Sequence, residues 1–392
     1  MSADLVRVVV ADDSPFIRRL LGSYLTTAAG FEVVAEVGDG QDAVDAVHRL
    51  HPDVVTLDLE MPTVDGLEAL RAIMETRPTP VVAISGVSGK GATRTMQALD
   101  AGAVDFVLKF TPGVAVDPDA LAREIATKVR LAARIQVVRL LERVRGGGSL
   151  SRPQSVASAA SSTLSAGSVM PAGALLPGMV IIGASTGGPL ALRELLGELP
   201  AGFRAPVVIV QHIPAFFTSV LASQLNRYCQ LPVREASNGE ILAPGVVYIA
   251  PGGYHFLLQT GLRIQLEKGK DSPGKHCPSI DVAMESAARL LGARIAGVLL
   301  SGMGEDGAAG LLSIRRHGGK TFAQDEMTSV VFGMPKRAIE LGAAMTVATP
   351  ALIGAALAQE FLLSNSASAS PERTVGAATT TTTTTGSLHV PA

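Results

Sequence analysis

From Leu5 to about residue 130 the chain alternates short apolar runs with helix-like stretches, and the connections between them are brief. Val6 to Ala11, Phe31 to Val37, Val54 to Leu57, Val81 to Ser85 and Val104 to Leu108 read as buried strands. Between them, Pro15 to Thr27, Gln41 to Leu50, Gly66 to Glu75 and Gly91 to Ala101 carry helical periods, and a last helix begins near Asp119. Parallel neighbours need crossover helices, so five strands alternating with five helices predict an α/β fold with a doubly wound parallel sheet. At 392 residues the chain is long enough for two or three domains, each with its own core.

Polar residues collect at the ends of these strands. Asp12 and Asp13 follow the first, Asp58 ends the third, Ser85 the fourth and Lys109 the fifth. Carboxylates converging on one sheet edge repel unless a cation neutralises them, and hard oxygen ligands suit magnesium. Such an ion beside Asp58 would draw phosphoryl oxygens to a carboxylate nucleophile, with Ser85 and Lys109 holding the transferred group. If Asp12 and Asp13 only capped the helix that opens at Ser14-Pro15, Asp58 and Lys109 would be left unexplained.

A second cluster begins at Gly183-Ala184-Ser185-Thr186-Gly187-Gly188, between a strand-like run, Met179 to Ile182, and a helix-like one, Pro189 to Leu199. The turn fits a nucleophile elbow built on G-x-S-x-G and, taken alone, equally a phosphate-cradling loop. The next strand, Val207 to Val210, decides between them. It is followed by Gln211-His212 where a dinucleotide unit would usually place an acidic residue. A further strand from Ile295 to Leu300 runs into Ser301-Gly302-Met303-Gly304-Glu305-Asp306-Gly307. Serine, histidine and aspartate thus each follow a strand, at the edge where open α/β sheets bind ligands. His212 would deprotonate Ser185, Asp306 would hold the imidazole, and the amides around Met303 and after Ser185, beginning with Thr186, would face an oxyanion. His255 and His276 read as loop or hairpin residues, and Asp281 as the cap of the helix that follows it.

Asp12-Asp13-Ser14, Leu57-Asp58-Leu59-Glu60-Met61-Pro62, Asp65-Gly66 and Lys109 resemble the receiver domain of two-component response regulators. The resemblance implies Asp58 as phosphoacceptor, Mg2+ bound by Asp12, Asp13 and Asp58, and Ser85 and Lys109 as readers of the phosphoryl group. The later half resembles the chemotaxis protein-glutamate methylesterases (CheB). The carrying motifs are the serine turn with Pro189, Gln211-His212, Tyr248-Ile249-Ala250-Pro251-Gly252-Gly253, Pro278-Ser279-Ile280-Asp281 and Gly302 to Gly307. By this resemblance the fold is two doubly wound parallel-sheet domains, a (βα)5 receiver and a Rossmann-like methylesterase. Ser185, His212 and Asp306 are its triad, and the Met303 amide serves the oxyanion. It implies hydrolysis of glutamate methyl esters and deamidation of glutamines on chemoreceptors, no cofactor for the esterase, and a histidine kinase as phosphodonor. Phe110, Ile213 and Cys277 stand where that family commonly has proline, methionine and arginine.

The domain boundaries expected are a receiver over 1–125, a helix extension and flexible linker over 126–178, a catalytic domain over 179–364 and a disordered tail over 365–392. Residues 146 to 178 are rich in Gly, Ser, Ala and Pro, and the tail holds seven consecutive threonines from Thr379 to Thr385. Leu121 to Val144 reads as one long, arginine-rich helix. The net charge of −2 and the lack of a basic recognition helix in the C-terminal part speak against nucleic acid as partner. Two cysteines, Cys229 and Cys277, without C-x-x-C or metal-ligand spacing, fit the reducing cytoplasm, and no leader or membrane-length apolar stretch is present. The reading from another class is a phospho-switched binding protein, whose second domain docks receptors or holds a nucleotide without catalysis.

Overall fold

The computed structural model describes residues 5–86, 89–109, 117–135, 178–269 and 276–366. In the first part, strands β1 (Val6–Ala11), β2 (Phe31–Val37), β3 (Val54–Asp58), β4 (Val81–Ser85) and β5 (Asp105–Leu108) form one parallel sheet in the order β2-β1-β3-β4-β5. Helices α1 (Pro15–Tyr24), α2 (Gly40–Leu50), α3 (Gly66–Thr76), α4 (Gly89–Asp100) and α5 (Pro118–Ala132) make the crossovers. Local chemistry sets their starts: the side chains of Ser14, Asp39, Asp65 and Asp117 accept first-turn amides of α1, α2, α3 and α5. Gly66 begins α3 against the end of β3, where a Cβ would lie 1.8 Å from the Asp58 carbonyl oxygen. The first helix ends at Tyr24 rather than Thr27. Thr26 there caps a separate 3₁₀ turn over Thr27–Ala29, closed by Gly30 at φ +86°.

The second sheet has seven strands, all pairing in parallel: β6 (Met179–Ala184), β7 (Val207–Gln211), β8 (Val233–Glu235), β9 (Val247–Ile249), β12 (Ile295–Leu299), β13 (Lys320–Gln324) and β14 (Thr346–Ala348). Their order is β14-β13-β12-β6-β7-β9-β8, and β10 (Tyr254–Gln259) with β11 (Arg263–Lys268) forms a separate antiparallel hairpin. Helices α6 (Gly188–Gly197), α7 (Ala215–Leu225), α8 (Ile280–Leu291), α9 (Ala308–Arg316), α10 (Met334–Glu340) and α11 (Pro350–Ser366) complete the domain. β6, the first strand of this sheet, lies between β7 and β12. The order reverses there, which opens a crevice at the C-terminal strand ends. The doubly wound class expected for both parts is therefore what the chain adopts.

The two parts touch through α4 and β5 of the first. Phe106 stacks on Phe217 with ring centroids 4.8 Å apart. Thr186 Oγ1 donates to Asp105 Oδ2 at 2.6 Å, Gln224 Nε2 donates to the Met96 carbonyl at 3.2 Å, and Arg193 lies 3.9 Å from Asp100. Phe110, the helix-like stretch beyond 135, the linker up to 177 and the tail beyond 366 lie outside the described residues. Among the described residues no helix is long and apolar enough to cross a membrane.

Candidate active site and phosphorylation site

Ser185, His212 and Asp306 follow β6, β7 and β12, three adjacent strands, so one sheet edge brings them together. The turn at Ser185 is held from below: its N–H donates to the Ser301 carbonyl at 3.0 Å, and its carbonyl accepts from Gly188 at 2.8 Å. Gly187 takes φ +77°, and a Cβ there would meet Val330 at 2.4 Å, so the turn admits only glycine. Gly302 is needed for a different reason. A Cβ on it would lie 2.7 Å from the Cβ of Ser185, so the loop carrying Met303 approaches the serine as closely as it does only without a side chain.

His212 Nε2 and Asp306 Oδ2 are 2.8 Å apart, with the imidazole almost wholly buried. The other ring nitrogen, Nδ1, is buried and has no hydrogen-bond partner among the described residues. No hydrogen bond joins it to Ser185 Oγ, but serine and histidine line the same cavity of about 840 Å³, together with Thr186 and Met303. Asp306 also accepts from Ser279 Oγ at 2.9 Å, from the N–H of Ile280 at 2.8 Å and from that of Asp281 at 3.1 Å, all at the start of α8. Burial works against the charge on Asp306, but His212 and these donors outweigh it and hold the carboxyl below the usual carboxylate range. A fixed carboxylate therefore faces one imidazole nitrogen, and the other is left able to accept a proton. Among the described residues the N–H groups of Thr186 and Met303 donate to no protein acceptor, so both remain for an anion.

Three neighbours take part in the site in ways the sequence did not assign to them. His276 stacks on His212 with centroids 4.0 Å apart and planes at 14°. Burial and the neighbouring His212 push its pKa down, which favours the neutral ring. Ser279, not Asp281, caps α8, accepting from Val282 N, and its hydroxyl also donates to Asp306. Asp281 does not cap the helix in which it lies. Its carboxylate accepts from Gly307 N at 2.9 Å and Gly310 N at 2.6 Å, so it caps α9, which begins after a glycine with no side chain of its own. Ile213 is buried, and Cys277 lines the cavity beside His276.

At the edge of the first sheet, Asp12, Asp13 and Asp58 bring one carboxylate oxygen each within 4.8 Å of one another. Lys109 Nζ lies 2.5 Å from Asp58 and 3.2 Å from Asp12. Burial raises the pKa of both Asp58 and Asp12 against the pull of Lys109, while the two carboxylates outweigh the burial of Lys109 and raise its own. Ser85 at the end of β4 is turned toward α4: Thr95 Oγ1 lies 2.5 Å from its Oγ, and Ser85 Oγ lies 3.3 Å from the Gly91 carbonyl.

Both parts of the chain match known domain families. Residues 8–116 match the response regulator receiver domain, and residues 180–357 match CheB methylesterase. A protein-glutamate methylesterase/protein-glutamine glutaminase of Archaeoglobus fulgidus is 42% identical over 352 residues, which cover 87% of this chain and 94% of the relative. The chain belongs to this family. A second member, protein-glutamate methylesterase/protein-glutamine glutaminase 2 of Xanthomonas campestris pv. campestris, is 44% identical over 338 residues, covering 86% of this chain and 95% of its own. The crystal structure of the Thermotoga maritima CheB methylesterase catalytic domain is 40% identical, covers 47% of this chain and 100% of that one, and has a TM-score of 0.46.

Proposed function

We infer that this chain is a phosphorylation-controlled protein-glutamate methylesterase that also deamidates glutamine, acting on chemoreceptors. Membership of a family whose members carry that name supports the substrate. The observation that carries the chemistry is His212, clamped by Asp306 through Nε2 and left with a buried, unpartnered Nδ1 in the cavity that Ser185 lines. Ser185 Oγ attacks the ester carbonyl as its proton passes to His212 Nδ1, and the Thr186 and Met303 amides receive the oxyanion. The proton then goes to the leaving methoxide, methanol departs, and water hydrolyses the acyl-enzyme by the same route. For a glutamine side chain the leaving group is ammonia.

The receiver supplies the control. Asp58 accepts the phosphoryl group from a histidine kinase, and Lys109 and Ser85 bind it. Asp12, Asp13 and Asp58 would hold Mg2+, which neutralises charge there. The fit rests on three converging carboxylates, of which Asp12 and Asp58 are buried. Residues 1–125 form this receiver, 126–178 the connection, 179–364 the esterase and 365–392 the tail, and the protein works in the cytoplasm. Asp105 and Phe106 of the receiver, with Lys128 just beyond it, close one side of the active cavity, so an unphosphorylated receiver excludes a bulky protein substrate.

The test is methanol release from methylated receptor membranes, with labelling by a fluorophosphonate. Ser185→Ala, folded as judged by circular dichroism, abolishes both. Methanol release at the wild-type rate in that variant refutes the triad, and nucleotide-dependent stabilisation without labelling of the native chain points to a binding protein instead.

A further inference from the structure

Gln211 ends β7, one position before His212, and is 2% exposed. Its Nε2 donates to the Ser185 carbonyl at 2.9 Å and to the His212 carbonyl at 3.2 Å. Two carbonyl acceptors around one terminal atom identify that atom as the amide nitrogen. The oxygen on the other side, Oε1, is buried and has no hydrogen-bond partner among the described residues. A methionine would avoid that unpaired acceptor, so stability alone does not explain the amide. Space is also reserved for it: a Cβ on Gly188 would lie 2.1 Å from Oε1.

The Ser185 carbonyl belongs to the planar peptide that carries the Thr186 N–H, and in a trans peptide the two groups point opposite ways. Drawing the oxygen toward Gln211 turns the N–H away from it. The second bond reaches the residue that serves as base. We propose that Gln211 is a positioning residue for acyl transfer: its carboxamide aims the Thr186 N–H at the developing oxyanion and ties the backbones of nucleophile and base at a set separation. The proposal rests on the reading of Ser185 as nucleophile.

The test uses the full chain with an acyl phosphate donor and Mg2+, following methanol release from methylated receptor membranes. Gln211→Met keeps length and burial without a donor. It lowers kcat about tenfold or more, less than the loss of a whole oxyanion donor allows, with KM within about twofold of the wild type. Gln211→Glu places an acceptor against two carbonyls, and its activity relative to the wild type rises as pH falls, because a protonated carboxyl can donate once. An unchanged kcat in folded Gln211→Met, or a loss confined to KM, overturns the proposal. Should that variant not fold, a Gln211→Glu ratio flat with pH overturns it. Wild-type methanol release that persists in Ser185→Ala refutes the parent reading separately, before either Gln211 variant is considered.

Discussion

The hydrogen bond from Thr186 to Asp105 lets inhibition by the receiver be weakened without altering the esterase. Asp105 lies on β5, is 7% exposed, and accepts Thr186 Oγ1 at 2.6 Å, so the residue after the nucleophile is tied directly to the other domain. Across the domain contact Asp105→Ala removes one hydrogen bond to a charged group, worth about 1.5–3 kcal/mol, while its bond from the Phe106 N–H and its pairing with Lys128 lie within the first part and are lost from both arrangements alike. Lys128, 3.5 Å from that carboxylate, keeps Glu124 at 3.0 Å and the Phe106 carbonyl at 2.6 Å, so no buried cation is stranded. Taking the lower end, a closed state weakened by about 1.4 kcal/mol raises a small open population about tenfold. Methanol release without phosphodonor should therefore rise about tenfold in Asp105→Ala, while the rate with saturating phosphodonor stays near that of the wild type. A folded variant whose unphosphorylated rate is unchanged or lower would show that this face does not restrain the enzyme.

Two further substitutions probe the loops that assemble the site. Gly302→Ala sets a methyl group 2.7 Å from the Cβ of Ser185 and 2.3 Å from Met334 Sδ, and only the methionine can give way easily. Activity falls sharply and stability drops by about 1–3 kcal/mol, read from kcat and thermal melts; wild-type kcat would mean that the contact is slack. Burial and the neighbouring Asp306 push Asp281 up to about 6 despite the Gly307 and Gly310 amides. A carboxyl whose folded pKa is raised favours the folded state at low pH, and that contribution is lost as pH rises from about 4 to about 6. Asp281→Asn keeps an oxygen for both amides, so its melting temperature relative to the wild type should climb across that window. A constant offset refutes the assignment.

Much of this protein can be read along the chain. Strand and helix types follow from apolar periods that are local, and the starts of α1, α2, α3, α5 and α8 follow from a Ser or Asp beside the amides it caps. Asp12, Asp58, Lys109, Ser185, His212 and Asp306 were recognisable because each follows a strand, and strands of a parallel sheet deliver their C-terminal ends to one edge. Asp281 was misjudged because the nearest helix is the default acceptor of a capping carboxylate, and only packing brings the start of α9 closer to it.

The class of each domain and the residues at each sheet edge can be read from the chain alone, since both depend on short-range pattern. Packing sets which nitrogen of His212 meets Asp306, the bonds from the start of α8 to that aspartate, the bonds of Gln211 to the Ser185 and His212 carbonyls, and the reach of Asp105 to Thr186. Those contacts join segments far apart in the chain, and their geometry is set by how helices and sheets pack, which no local period encodes.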